Sequence, residues 1–328
     1  MRVVQIVFAV ALCLLAAPAP ADSLQHLERI SISGSDYVRI NEWADVIDFQ
    51  VKWPKNSEFI TLTNGAMRVQ FAIDSRKTEI DGVTVWLSLP VVNRSGVAMI
   101  SLADLRSTLR PILSPRPSDA SIQTICLDPG HGGKDKGEIS GIHFEKKYAL
   151  LLAKEVSDQL EEAGFDVILT RTQDKLVDLS ERPLIAHQRG ADLFVSLHYN
   201  SASSAVKGIE VYCVTPSGFN SSNEGGGKSS DPTYPGNEQN DRNVLLAYQI
   251  QKSLVRSLPF EDRGMKRSRF EVLRQARLPA ILVEGGFMSN SGDAAKIYDA
   301  EFRKKMARAI VDGILTYKGV LARPLANQ

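Results

Sequence analysis

Four side chains stand where a polypeptide can do chemistry. His131 lies in ICLDPGHGG (125–133), an apolar run broken by Asp128, Pro129 and Gly130. Glu145 opens a helical stretch, His198 ends the apolar run in VSLHYN, and Glu284 ends that in ILVEGGFMSN, ahead of two glycines. The four therefore sit at strand ends or in the turns that follow. Parallel strands put their carboxyl ends on one edge, so residues distant in sequence can converge there. Two imidazoles and one carboxylate are the protein ligands of a catalytic zinc, leaving a fourth position for water. A second carboxylate, off the metal, supplies the general base and acid that such a site needs. There is no GxSxG elbow and no cysteine in a nucleophile's context, so covalent catalysis has no candidate. Alone, ICLDPGHGG could equally be a Gly/Pro turn that contains a histidine. Its glycines are expected to keep the loop free of bulk beside a ligand.

The elements that must position these residues lie between 122 and 317. Strand-like runs at 122–127, 166–170, 191–197, 208–214 and 280–283 alternate with amphipathic helices at 146–163, 179–189, 240–258 and 301–317. Strands separated by helices argue for an α/β fold: a mainly parallel twisted sheet with helices on both faces. The segment 216–239, rich in Gly, Ser, Asn and Pro, breaks this rhythm and follows the fourth strand. It is too polar to bury a core and is expected as a loop beside the groove.

The amino-terminal third reads differently. Residues 22–113 form a small α+β accessory domain with strands at both ends of 30–40, at 59–62, 67–71 and 83–87, and helices at 41–49 and 100–109. It carries no nucleophile–base pair and no metal spacing. SPRPSDAS (114–121) is the expected connector, and 122–328 the catalytic domain. Residues 1–21 have a basic start, an apolar core and Ala19-Pro20-Ala21 before Asp22, the pattern of a cleaved secretory signal peptide. The mature chain is therefore expected in the periplasm or the medium, with no stable membrane span. Cys126 and Cys213 lie in apolar runs and are expected as small buried hydrophobes without a disulfide. The composition, 43% hydrophobic and 23% charged with a net charge of +1, is that of a globular protein and gives no electrostatic argument for nucleic acid.

The stretches DPGHGGKDKG, FEKKYALLLAKEV, ILTRTQDKLVDLSERPLIA, ADLFVSLHYNS, GIEVYCV and LPAILVEGGFMSN resemble, in order and spacing, the zinc-dependent N-acetylmuramoyl-L-alanine amidases of the type-3 amidase family. The resemblance spans 122 to about 317. It implies zinc held by His131, Glu145 and His198, with Glu284 as catalytic acid and base. The implied reaction is hydrolysis of the amide between N-acetylmuramic acid and L-alanine in peptidoglycan. It leaves room for a protein activator. Gly285 departs from the threonine of many members. Some members place a glutamate of an inhibitory helix on the zinc from the region of 216–239, which here contains Glu224 and Glu238. The amino-terminal part resembles the small amino-terminal domain of copper amine oxidases, which in this setting implies wall or partner binding.

Lesser candidates surround the four. Asp128 is expected to hydrogen-bond a ligand imidazole or to stabilise its turn, His143 to support the metal or touch substrate, and Asn200 to line the groove. Arg171 with Asp174, and Glu181 with Arg182, read as local salt bridges or helix starts. Lys266, Arg267 and Arg269 form a basic cluster, suited to substrate carboxylates or to a solvated face. Two alternatives use the same residues: a non-catalytic wall-binding or regulatory protein that keeps the fold, and a zinc hydrolase of another bond. Loss of any of the four would favour the first, and none is lost.

Overall fold

A computed structural model describes residues 23–55, 57–118 and 121–323. The expected signal peptide and part of the connector lie outside them. The first unit contains strands β1 (Ile30–Ile32) and β2 (Ser35–Arg39), helix α1 (Ile40–Val46), and strands β3 (Gln50–Lys52), β4 (Phe59–Thr63), β5 (Arg68–Ala72), β6 (Ser75–Ile80), β7 (Val83–Arg94) and β8 (Val97–Ser101). Short helices α2 (Leu102–Asp104) and α3 (Arg110–Leu113) flank a π-helical stretch, Leu105–Leu109. The helix expected from residue 100 starts later because Ile100 and Ser101 belong to β8.

The second unit runs β9 (Thr124–Pro129), the hairpin β10 (Ile139–Ser140) and β11 (His143–Phe144), α4 (Glu145–Glu162), β12 (Asp166–Leu169), α5 (Glu181–Gln188), β13 (Leu193–Asn200), β14 (Ile209–Val214), α6 (Asn240–Ser257), β15 (Asp262–Ser268), α7 (Glu271–Arg274), β16 (Ala280–Phe287), α8 (Ser291–Tyr298) and α9 (Ala300–Leu321). Its strands stand in the order β12-β9-β13-β16-β14-β15. β9, β12, β13 and β16 are parallel, as expected, but β14 pairs antiparallel with β16 and parallel with β15. Thus β14 and β15 begin at the edge where the other four end.

Both faces are covered, so strands such as β9 are buried along nearly their whole length. One core lies under α4, α6 and α9, and a smaller one, built on Cys126, Phe194, Tyr212 and Leu282, under α5 and α7. On α4 the buried stripe is Glu145, Tyr148, Ala149, Leu152, Ala153, Val156 and Leu160, spaced three and four apart. Leu150 and Leu151 flank it half-buried. Glu145 thus faces inward at the helix's first position. Cys126 and Cys213 are buried and free.

The sheet does not stop at the connector. β15 pairs with β7 through Met265 and Val85, and the order continues β7-β6-β5-β4-β3. Trp86 Nε1 donates to the Arg263 carbonyl at 2.9 Å, and Tyr248 OH to the Ile80 carbonyl at 3.2 Å. Arg267 is fully buried at this joint, donating to the Ser107 and Val214 carbonyls and to Asn240.

The segment 216–239 belongs to this joint, not to the groove. Because β14 is antiparallel to β16, the chain leaves it at the edge opposite His198 and Glu284. Phe219 packs on Tyr37, Leu89 and Met99, Gly227 N donates to the Ser88 carbonyl at 3.0 Å, and Arg76 Nη2 reaches the Ser222 carbonyl at 3.0 Å. Glu224 closes a local capping box, its Oε2 accepting from Ser221 N at 2.7 Å. No autoinhibitory glutamate reaches the catalytic edge from here.

Candidate active site

His131 Nε2 lies 3.0 Å from Glu145 Oε2, and His198 Nδ1 lies 2.9 Å from Glu145 Oε1. Metal-ligating atoms of these three residues fall within 4.8 Å of one another. The hairpin β10–β11 brings Glu145 back to the loop after β9. Glu138 N and Tyr199 N donate to its two oxygens at 3.0 and 3.1 Å, fixing the carboxylate on two sides. Burial opposes its ionisation, but hydrogen bonds from both imidazoles hold it well below the usual carboxylate range. His131 responds in the opposite sense: burial lowers its pKa, and Glu145 and Asp135 outweigh that and raise it.

The backbone makes room for this clustering. His131 is itself left-handed, at φ 59°, an unfavourable conformation for a residue with a Cβ. A Cβ on Gly130 would lie 2.2 Å from the His198 ring, and one on Gly137 would lie 2.5 Å from Glu145 Oε2 and 2.6 Å from His131 Cδ2. These two glycines serve the ligands. Gly132 and Gly133, expected to do so, instead face the backbone of Lys175 and Leu176.

Glu284 pairs with His198 across the parallel β13–β16 ladder, and directly opposed residues project from one face. Immediately beyond, the register slips so that Asn200 opposes Phe287. This bulge ends the regular ladder beside the acid, a common device for aiming a side chain. Glu284 Oε2 is buried without a protein partner. Burial, then the charges of Glu145 and Glu210, push its pKa well above the ordinary value of 4.5. A Cβ on Gly285 would come within 2.9 Å of Met306 Sδ and 3.0 Å of Tyr199 Cε1, so the glycine matches a tight contact on the core side.

The lesser candidates sort differently from expectation. Asp128 does not touch an imidazole. It is fully buried and accepts from Thr170 Oγ1 at 2.6 Å, Ser196 Oγ at 2.7 Å and Arg182 Nη1 at 2.8 Å. The partner of His131 is Asp135, whose Oδ2 lies 2.8 Å from Nδ1. His143 is held away in an aromatic cluster, 2.5 Å from Tyr148 OH and stacked on Tyr298 with ring centroids 3.8 Å apart. Asn200 donates to Glu210 Oε2 at 3.2 Å. Neither side of the basic-cluster reading holds. Lys266 is buried and paired with Glu210 at 2.6 Å, Arg267 braces the joint, and Arg269 is held by the Phe219 carbonyl and Asp231.

Sequence reasoning missed two braces. Arg182 donates to the carbonyls of Pro129 and His131 at 2.9 Å each, and Arg171 to those of Pro129 at 3.0 Å and Gly130 at 2.7 Å. Together they hold the strained His131 loop from below. Their only sequence signal was a pair of arginines in the one matching stretch ILTRTQDKLVDLSERPLIA, which also fits local salt bridges or helix starts.

A half-buried imidazole pair, an inward carboxylate and a neighbouring orphaned acid, all at the carboxyl edge of an α/β sheet, define a hydrolytic enzyme site. The chain belongs to the N-acetylmuramoyl-L-alanine amidase family, whose profile matches residues 125–316, and residues 26–114 match the profile of the copper amine oxidase N-terminal domain. It is 36% identical over 196 residues to the N-acetylmuramoyl-L-alanine amidase LytC of Bacillus subtilis, a match covering 60% of this chain and 35% of LytC. It is 30% identical over 281 residues to the probable cell wall amidase LytH of Staphylococcus epidermidis, covering 82% of this chain and 84% of LytH. Among solved structures it resembles the N-acetylmuramoyl-L-alanine amidase AmiC2 of Nostoc punctiforme, with a TM-score of 0.51 and 33% identity over 60% of this chain and 98% of that one.

Proposed function

We propose that this enzyme is a zinc-dependent hydrolase of the amide joining N-acetylmuramic acid to L-alanine in peptidoglycan, with zinc on His131, Glu145 and His198. The observation that carries the reading is the meeting of those three side chains beside the unpartnered Glu284. The donor set fits zinc: two imidazoles and a carboxylate held in its ionised form. When bound, the ion supplies a Lewis acid and lowers the pKa of a water from about 16 to roughly 7. The chain's own residues do the rest. Asp135 fixes the ring orientation of His131, as outer partners of ligand histidines do. Glu284 accepts the proton of the attacking water and returns it to the departing alanine amine. Its raised pKa suits both halves of that transfer. Arg171 and Arg182 keep the His131 loop in register with β13.

The proposed organisation is a signal peptide at 1–21, an accessory unit at 22–113, a connector at 114–121 and the catalytic unit at 122–328, acting outside the cytoplasm. No helix among the described residues is long and apolar enough to cross a membrane. Purified peptidoglycan, digested and examined by mass spectrometry, should show new free L-alanine amino termini. Cleavage at a glycosidic bond or between stem-peptide residues would overturn the assignment.

A further inference from the structure

Arg263 is the extra residue of a second bulge, where pairing shifts from Ile209–Asp262 to Glu210–Gly264. Since β15 begins where β16 ends, this bulge lies on the same edge as Glu284. Arg263 Nε donates to Glu210 Oε1 at 2.5 Å, and its guanidinium carbon sits 5.1 Å from the centroid of the Phe287 ring. Glu210 is buried, pairs with Glu284 across β14–β16, and is fully engaged: Lys266 Nζ at 2.6 Å, Tyr212 OH at 2.5 Å and Asn200 Nδ2 at 3.2 Å complete its shell. Two cations share one carboxylate, so the cluster keeps a net positive charge. Among the described residues neither Nη of Arg263 has a hydrogen-bond partner in the protein, and its side chain is 28% exposed. A guanidinium clamped through Nε and one face, with its Nη pair open, is preorganised for a carboxylate.

We propose that Arg263 is a specificity-determining residue that binds the carboxylate of the amino acid following L-alanine in the substrate; this rests on the amidase reading above. β15 is two strands from β16, about 10 Å across the sheet. One extended residue, about 3.3 Å, plus a glutamate-sized side chain spans much of that distance from the scissile amide. Glu210 acts as a positioning residue, fixing the fork while Lys266 balances its charge.

The test compares two synthetic N-acetylmuramoyl-L-alanyl ligands whose second residue carries a free carboxylate or a carboxamide. Wild-type enzyme should favour the acid by roughly 10- to 100-fold in kcat/KM, mostly through KM, the worth of a charge-assisted forked pair. Arg263→Gln should bring that ratio close to one. Arg263→Lys, which keeps a charge for Glu210 but loses the fork, should retain part of it. A ratio of one in the wild type, or one that survives in Arg263→Gln, overturns the proposal and leaves the amidase reading intact. Cleavage of neither ligand by the wild type overturns the amidase reading itself.

Discussion

Glu284→Gln is expected to lower kcat by roughly 10²- to 10⁴-fold, the worth of general acid–base catalysis, while zinc stoichiometry stays at the wild-type value. The second readout is stability. The folded-state pKa of Glu284 is raised above 4.5, by burial first and then by Glu145 and Glu210. A raised carboxyl favours folding fully only below its unfolded pKa, and this contribution is lost as pH rises through the folded pKa. Metal-free wild-type protein at pH 7–8 therefore carries a penalty that glutamine lacks. Metal-free Glu284→Gln should melt higher than metal-free wild type there, and the difference should shrink as pH falls toward 4.5. An inactive variant with a gain in stability is the signature of a site strained for function. Near-normal hydrolysis by Glu284→Gln would refute its role.

Glu145→Ala should move both quantities down. It removes a proposed ligand and the acceptor for His131, His198, Glu138 N and Tyr199 N together. Outer-partner losses cost about 10- to 100-fold in metal affinity or activity, so loss of a direct ligand should exceed that, by roughly 10³-fold or more in activity. Each buried backbone donor left unpaired costs about 1–3 kcal/mol. The variant should bind no stoichiometric zinc and melt below the wild type even without metal. Elemental analysis and calorimetry read the two effects separately. A variant that kept one zinc per chain would remove Glu145 from the ligand set.

The opposite stability shifts follow from how the two glutamates are solvated by the protein. One is buried among donors and the other is not. That difference cannot be read from ILVEGGF or FEKKYAL. What could be read was the placement at strand ends, because apolar runs on both-sided sheets announce themselves. Three of the four residues close such runs or the turn after one, and the fourth opens a helix with a continuous buried stripe. β15 escaped because DRGMKRS looks like solvated surface. Its cationic groups are hydrogen-bonded by partners distant in sequence, the Glu210 carboxylate and the Asn240 carbonyl among them. β6, SRKTEI, was hidden in the same way by polar residues on its outer face. The reversed direction of β14 follows from the eight residues 201–208 that join it to β13, too few for the crossover a parallel strand needs, a signal in the spacing that the α/β rhythm overshadowed. It moved the 216–239 segment from the groove to the joint. Asp135 was overlooked in favour of Asp128 because both flank His131, and only the turn closed by Gly132 and Gly133 decides which one its ring can reach.

The most direct test of zinc on His131, Glu145 and His198 is metal removal and return. Protein stripped by a chelator and dialysed should lose its amidase activity on peptidoglycan. Activity should return in proportion to added zinc and saturate at one equivalent per chain. Stripped protein that stays fully active, or that needs no stoichiometric metal to recover, would contradict the account.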